Sequence, residues 1–181
     1  LGDEPAPPYQ RPPLSKTFIT SNQESPARTV VSEARFKELE IDVALGRPVT
    51  SVDARKRLVR LHTDEGQPAE QIHFGHLLIA TGASPVRLTI PGAELGGIHY
   101  LRSIADAQAL RASARTAQHA VVIGASFIGV EIAASLRQRG VKVTIVESLD
   151  RMLPNEDPEV SAEILKAYKK MGVTVMTSTA V

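Results

Sequence analysis

The sequence predicts an α/β fold with a parallel sheet, and three features of its second half carry that expectation. Residues 121–123 are a short apolar run that reads as a buried parallel strand, followed at once by Gly124. A helical stretch that includes Gly129 follows, closed by Arg139-Gly140. Residues 141–146 then alternate as a second strand, and that strand ends in Glu147.

Strand, glycine turn, helix and strand in this order are what a dinucleotide requires. Gly124 permits the sharp turn that aims the next helix's N-terminus at a pyrophosphate, and Gly129 lets that helix lie close to the sheet. Glu147 stands 23 residues after Gly124, where an acid holds a ribose 2′-hydroxyl. The expected NAD-binding set is therefore Gly124, Ser126, Phe127, Ile128, Gly129 and Glu147. Ser126 departs from the pattern, because its position normally lacks a side chain so that the backbone approaches the pyrophosphate; this bears on affinity. An ordinary βαβ unit with a glycine turn is the alternative. A carboxylate at position 147 also repels a 2′-phosphate, which favours NADH over NADPH, and Arg151 weakens that preference without reversing it.

The first half reads differently. A proline-rich opening ends in Arg11-Pro-Pro-Leu-Ser-Lys16, which should hold a turn and release a short helix. Residues 17–28 are polar and loop-like, and 29–31 suggest a short apolar element. Short bursts at 41–44, 48–52 and 58–61 read as antiparallel strands of a small sheet. The apolar run 76–80, leading into Thr81-Gly82, reads as a buried strand ending in a tight turn against a ligand. Pro85, Pro91, Gly92, Gly96 and Gly97 mark a linker. Beyond it, Ser103 and Asp106 suggest a capping box opening a helix to about residue 117. Asp157-Pro158 should cap a last helix with Val160, Ile164, Leu165 and Tyr168 on one face, before a strand at 173–176.

Composition excludes several classes. A formal charge of +1 and few aromatic residues give no footprint for nucleic acid. No apolar run approaches the ~20 residues of a membrane span, so a cytoplasmic location is expected. With no cysteine there is neither a disulfide scaffold nor a thiolate metal site, and the nearest histidine pair, His73 and His76, reads as solvated or core side chains, with no metal expected.

Arg11-Pro-Pro-Leu-Ser-Lys16, Ala80-Thr-Gly-Ala-Ser-Pro85, Tyr100-Leu-Arg-Ser103 and the unit from Gly124 to Glu147 occur in this order. In that combination the chain resembles the FAD-dependent pyridine nucleotide-disulfide oxidoreductases, most closely the ferredoxin or rubredoxin reductase and apoptosis-inducing-factor branch. The resemblance implies a Rossmann-like fold binding two dinucleotides, with a partial FAD-binding domain at 1–95, lacking its ADP-binding βαβ unit, and a truncated NAD-binding domain at 96–181. It implies FAD contacts from Arg11, Lys16, Val49, Thr81, Gly82 and Arg102, and a catalytic pair, Lys16 with Glu131, buried beside the flavin. The related disulfide reductases carry a redox cysteine pair before that lysine; here Tyr9-Gln-Arg-Pro-Pro-Leu-Ser occupies the segment, so electrons are expected to leave the flavin directly. The implied function is NADH oxidation through FAD to a ferredoxin, rubredoxin or Rieske iron–sulfur protein. The alternatives are a redox-sensing flavoprotein of the apoptosis-inducing-factor type with slow NADH oxidation, and a plain NAD-binding module. As a fragment of a longer protein, the chain alone is expected to lack flavin and reductase activity.

Overall fold

The computed structural model describes residues 1–21, 27–63 and 70–181. In chain order the elements are a 3-10 turn (Pro12–Ser15), α1 (Thr17–Thr20), α2 (Glu33–Glu38), β1 (Val49–Asp53), β2 (Leu58–Leu61), β3 (Gln71–His73), α3 (Ile104–Ser113), β4 (His119–Ile123), α4 (Phe127–Gln138), β5 (Lys142–Val146), α5 (Pro158–Lys170) and β6 (Thr174–Met176). They fall into two compact units. One holds Leu1–Gln10 and Arg28–Ser84, the other Arg11–Ala27 and Pro85–Val181.

The first unit is built on an antiparallel sheet in the order β1-β2-β3. Central β2 buries Leu58, Val59 and Leu61, so both of its faces are covered. The hairpin from β1 turns on Asp53, whose carboxylate accepts the Lys56 N–H at 3.0 Å. Residues 29–31 pair instead with the opening loop, through a Tyr9–Thr29 bridge and the Val30 N–H donating to the Pro8 carbonyl at 2.8 Å.

Three expectations fail in this unit. Residues 41–44 are not a strand: the Ala44 carbonyl accepts the Gly2 N–H at 2.9 Å, so the opening loop takes the backbone group that a ladder needs. Residues 76–83 have no regular structure, and Leu78 and Ile79 are 86% and 69% exposed. An apolar run becomes a strand when a neighbour pairs its backbone, and none of the described strands lies in register with it. Helix α2 was not foreseen because it buries no residue and so shows no apolar period; Ser32 caps it by accepting the Arg35 N–H at 3.2 Å.

The second unit carries a parallel sheet in the order β4-β5-β6, with α4 joining the first pair of strands and α5 the second. Helix α4 packs on β5, and the core of the unit buries Val143 and Ile145 of the strand and Val130, Ile132, Ala133 and Leu136 of the helix. Strand β4 forms where expected but is not buried on both faces: Val121 and Ile123 are 62% and 51% exposed, because no described layer covers that side of the sheet. In α5, Tyr168 is buried and donates to the Val130 carbonyl at 2.6 Å, whereas Val160 is exposed. Asp157 starts that helix with its backbone geometry alone, without the side-chain cap expected of it.

The short helix expected after the Arg11–Lys16 turn forms at residues 17–20, the start of a stretch that otherwise reads as loop. Phe18 and Ile19 are in the core, and the turn released by Pro12 and Pro13 delivers them there. Of that stretch, residues 22–26 lie outside the described residues.

The capping box forms. Ser103 Oγ accepts the Asp106 N–H at 3.2 Å, and Asp106 Oδ2 accepts the N–H groups of Ser103 at 2.8 Å and Arg102 at 3.0 Å. The helix ends at Ser113, one turn short of residue 117. Ser103→Ala is expected to destabilise this unit by ~1 kcal/mol, read from urea unfolding, since it removes the acceptor of the Asp106 N–H while the Asp106 carboxylate keeps its two backbone donors.

Candidate dinucleotide site

The turn between β4 and α4 is set by its glycines. Gly124 has φ +95°, and its N–H donates to the Val146 carbonyl at 2.8 Å, which draws the turn against the end of β5. At Gly129 an added Cβ would stand 2.0 Å from the Gly124 carbonyl oxygen, so only glycine allows helix and turn to approach this closely. Ser126 is the N-cap of α4, with extended backbone at φ −83° that any residue adopts, so serine here introduces no strain. Its exposed hydroxyl makes no capping bond, and Phe127 and Ile128 beside it are exposed as well. The first N–H groups of a 12-residue helix thus open at this corner with the positive end of its dipole.

Glu147 lies at the corner but is 7% exposed. Its Oε2 accepts the Ala125 N–H at 2.6 Å, and its Oε1 accepts the Leu149 N–H at 2.9 Å and the Ser148 hydroxyl at 3.2 Å. Burial works to raise its pKa, but the hydrogen bonds from Leu149, Ala125 and Ser148 outweigh it and hold the carboxyl below its usual range. Arg151 is bonded into the following turn, with Nη2 donating to the Pro154 carbonyl at 2.8 Å.

A second cluster forms on the same helix. Lys16 Nζ lies 2.7 Å from Glu131 Oε1, and Ser15 Oγ donates to Glu131 Oε2 at 2.5 Å. Ser135 Oγ donates to the Ser15 carbonyl at 2.7 Å, and Arg139 Nη1 donates to the Ile19 carbonyl at 3.0 Å. Glu131, Ser135 and Arg139 stand four residues apart, so they form one stripe of α4 that grips residues 15–19. Nothing in the sequence singles out Ser15, whereas Ser135 and Arg139 carry one signal, their four- and eight-residue spacing from Glu131. The pair is not buried as expected: the Lys16 and Glu131 side chains are 49% and 30% exposed, because Lys16 leaves the turn at its open end. Burial pushes the Glu131 carboxyl up, but its hydrogen bonds from Lys16 and Ser15 and the Lys16 charge bring it below the ordinary value. Arg11 Nη1 donates to the Arg102 carbonyl at 2.6 Å, which brings two more of the expected residues together.

The remaining three belong to the first unit. Val49 opens β1 opposite Leu61 and is 43% exposed, while Thr81 and Gly82 lie in exposed loop, Gly82 with φ +70°. Among the described residues no group of three acidic or histidine side chains is placed to hold a metal, and His73 and His76 are exposed. No described helix is long and apolar enough to cross a membrane.

A glycine turn on a parallel sheet, with an acid at the end of the second strand, defines a dinucleotide-binding α/β protein. The chain belongs to the pyridine nucleotide-disulphide oxidoreductase family, whose model matches residues 1–181. It is 38% identical to rhodocoxin reductase of Rhodococcus erythropolis over its whole length, covering 42% of that protein. It is 34% identical to the rubredoxin-NAD(+) reductase of Pseudomonas putida, with 92% of this chain and 42% of that protein covered. Among solved structures, the ferredoxin reductase for the CYP199A2 system from Rhodopseudomonas palustris superposes with a TM-score of 0.90 at 33% identity, covering 98% of this chain and 43% of that one. The chain therefore spans well under half the length of these relatives.

Proposed function

We propose that the protein carrying this chain is an FAD-dependent NADH oxidoreductase that passes electrons to a ferredoxin, a rubredoxin or a Rieske-type iron–sulfur protein in the cytoplasm. The observation that carries the reading is the double use of α4. Its first turn offers Gly129 and the open N–H groups to a pyrophosphate, and two residues later Glu131 holds the Lys16 ammonium. One rigid element thus fixes a nucleotide corner and a charged pair in a single register. The residues fit the cofactors: the missing Cβ at 129 and the uncapped Ser126 suit the pyrophosphate of NAD, and Arg11, Lys16 and Arg102 supply cations of the kind that the anionic parts of FAD call for. When bound, FAD supplies the step from two-electron to one-electron transfer. The relatives' names, which give rhodocoxin and rubredoxin reductases, favour this reading over a redox-sensing one.

The full-length protein is expected to reduce added ferredoxin or rubredoxin rapidly with NADH, monitored through cytochrome c. Slow NADH oxidation that none of these carriers accelerates would overturn the proposal. Nucleotide choice gives a further test, because the Glu147 charge opposes a 2′-phosphate. The unmodified protein is expected to favour NADH in kcat/KM by about tenfold or more, equivalent to ~1.4 kcal/mol. Glu147→Ser combined with Ser148→Arg should move the ratio toward NADPH. Equal efficiency with both nucleotides in the unmodified protein would sink this assignment.

A further inference from the structure

The Glu147 carboxylate is engaged by its own protein before any nucleotide arrives. A carboxylate offers about four acceptor directions, and the described residues take up most of them: Ala125 N–H on Oε2, Leu149 N–H with the Ser148 hydroxyl on Oε1, and the Ser148 backbone N–H besides. Little of the carboxylate is left for a ribose hydroxyl. Ala125 is fully buried and sits between Gly124, with its positive φ, and Ser126, the N-cap of α4. The turn is consequently fixed at two consecutive N–H groups: Gly124 to the Val146 carbonyl at 2.8 Å, and Ala125 to Glu147 at 2.6 Å. The second is the charge-assisted bond, the stronger kind. It also consumes the Ala125 N–H, so the donors left for a phosphate begin at Ser126.

Resting on the NAD reading above, we propose that Glu147 is a positioning residue for the anion-binding turn, holding residues 124–126 in the shape that presents the α4 N-terminus to the pyrophosphate. Its contribution to affinity then passes mainly through Ala125 and only in part through the ribose.

A ligand-and-protein cycle on the full-length protein separates the two routes. Dissociation constants are measured for NADH and for NADH lacking the adenosine 2′-hydroxyl, with the unmodified protein, Glu147→Gln and Glu147→Asp. Glutamine presents an NH₂ where one carboxylate oxygen stood, and aspartate keeps the charge but loses the reach to Ala125. Both are expected to weaken NADH on the order of tenfold, the loss of one hydrogen bond to a charged group. The 2′-deoxy nucleotide should be weakened by at least half of that factor on a logarithmic scale. A loss confined to the nucleotide that bears the hydroxyl, no loss with either, or full retention by Glu147→Asp would each overturn the proposal. Failure of the unmodified protein to bind NADH would overturn the NAD reading itself, and is distinguished by appearing before any substitution. Circular dichroism of both variants shows whether the sheet is intact; if glutamine prevents folding, the aspartate variant decides.

Discussion

Gly129→Ala is expected to destabilise the second unit by ~3 kcal/mol or more and to abolish NADH binding. The added Cβ would stand 2.0 Å from the Gly124 carbonyl oxygen and 3.1 Å from its carbonyl carbon. Both are backbone atoms, so no side-chain rotation relieves the contact. Either α4 lifts from β4, which opens the packing of Val130 and Ala133, or the turn at Gly124 moves and loses its bond to the Val146 carbonyl. Each route destroys the corner that faces the nucleotide. Ser126→Ala is the matched control: that side chain is exposed and makes no capping bond, so stability should stay within ~0.5 kcal/mol. Urea unfolding and NADH titration of the two variants check the contrast. An unchanged midpoint for Gly129→Ala would refute the close approach.

The βαβ unit was legible because its signals are local. A strand, a positive-φ turn, a helix with one glycine and a terminal acid lie within 29 residues, from His119 to Glu147, and each obeys its own short-range rule. The capping box at Ser103 was legible for the same reason, since both partners lie within one turn. What the sequence did not disclose depends on distant partners. Residues 76–80 have the composition of a buried strand, yet composition does not say whether a neighbour is present to pair it. Strand β4 shows the same limit on a smaller scale: a short apolar run suggests two covered faces, and the structure covers one.

At the site, the residue types were readable but their bonding was not. Glu147 was visible as an acid at the right distance, but its commitment to Ala125, 22 positions earlier in the chain, needed the fold. An isolated serine carries no pattern, so the sequence alone assigns no role to Ser15 or Ser135. Their meaning comes from the Glu131, Ser135 and Arg139 stripe, which becomes a grip only when residues 15–19 lie across it. The two compact units have a similar lesson. Residues 12–20 precede the strands of the first unit in sequence, and yet they pack with α3 and α4 of the second. Phe18 lies under the buried Arg111 guanidinium, 5.4 Å from the ring centre, and Ile19 is wholly buried. Contacts of that kind join residues nearly a hundred positions apart.

Lys16→Ala is expected to slow reduction of the flavin by NADH by about a hundredfold while leaving NADH affinity nearly unchanged, the size of effect seen when one preorganised donor is removed from developing negative charge. Glu131 Oε1 holds the Lys16 ammonium at 2.7 Å, and Ser15 fixes the other carboxylate oxygen, so the cation is held in place before a reaction begins. With the two side chains 49% and 30% exposed, the stability cost of losing the pair is that of a solvated one, up to ~1 kcal/mol. A large kinetic effect beside a small stability effect is therefore the signature of this assignment. Glu131→Gln removes the partner charge but keeps an acceptor for Ser15, and should slow reduction less than Lys16→Ala does. Stopped-flow reduction of the flavin-loaded full-length protein reads the rates, and thermal unfolding reads the stability. A reduction rate for Lys16→Ala equal to that of the unmodified protein would show that the pair only fastens the Pro12–Ser15 turn to α4.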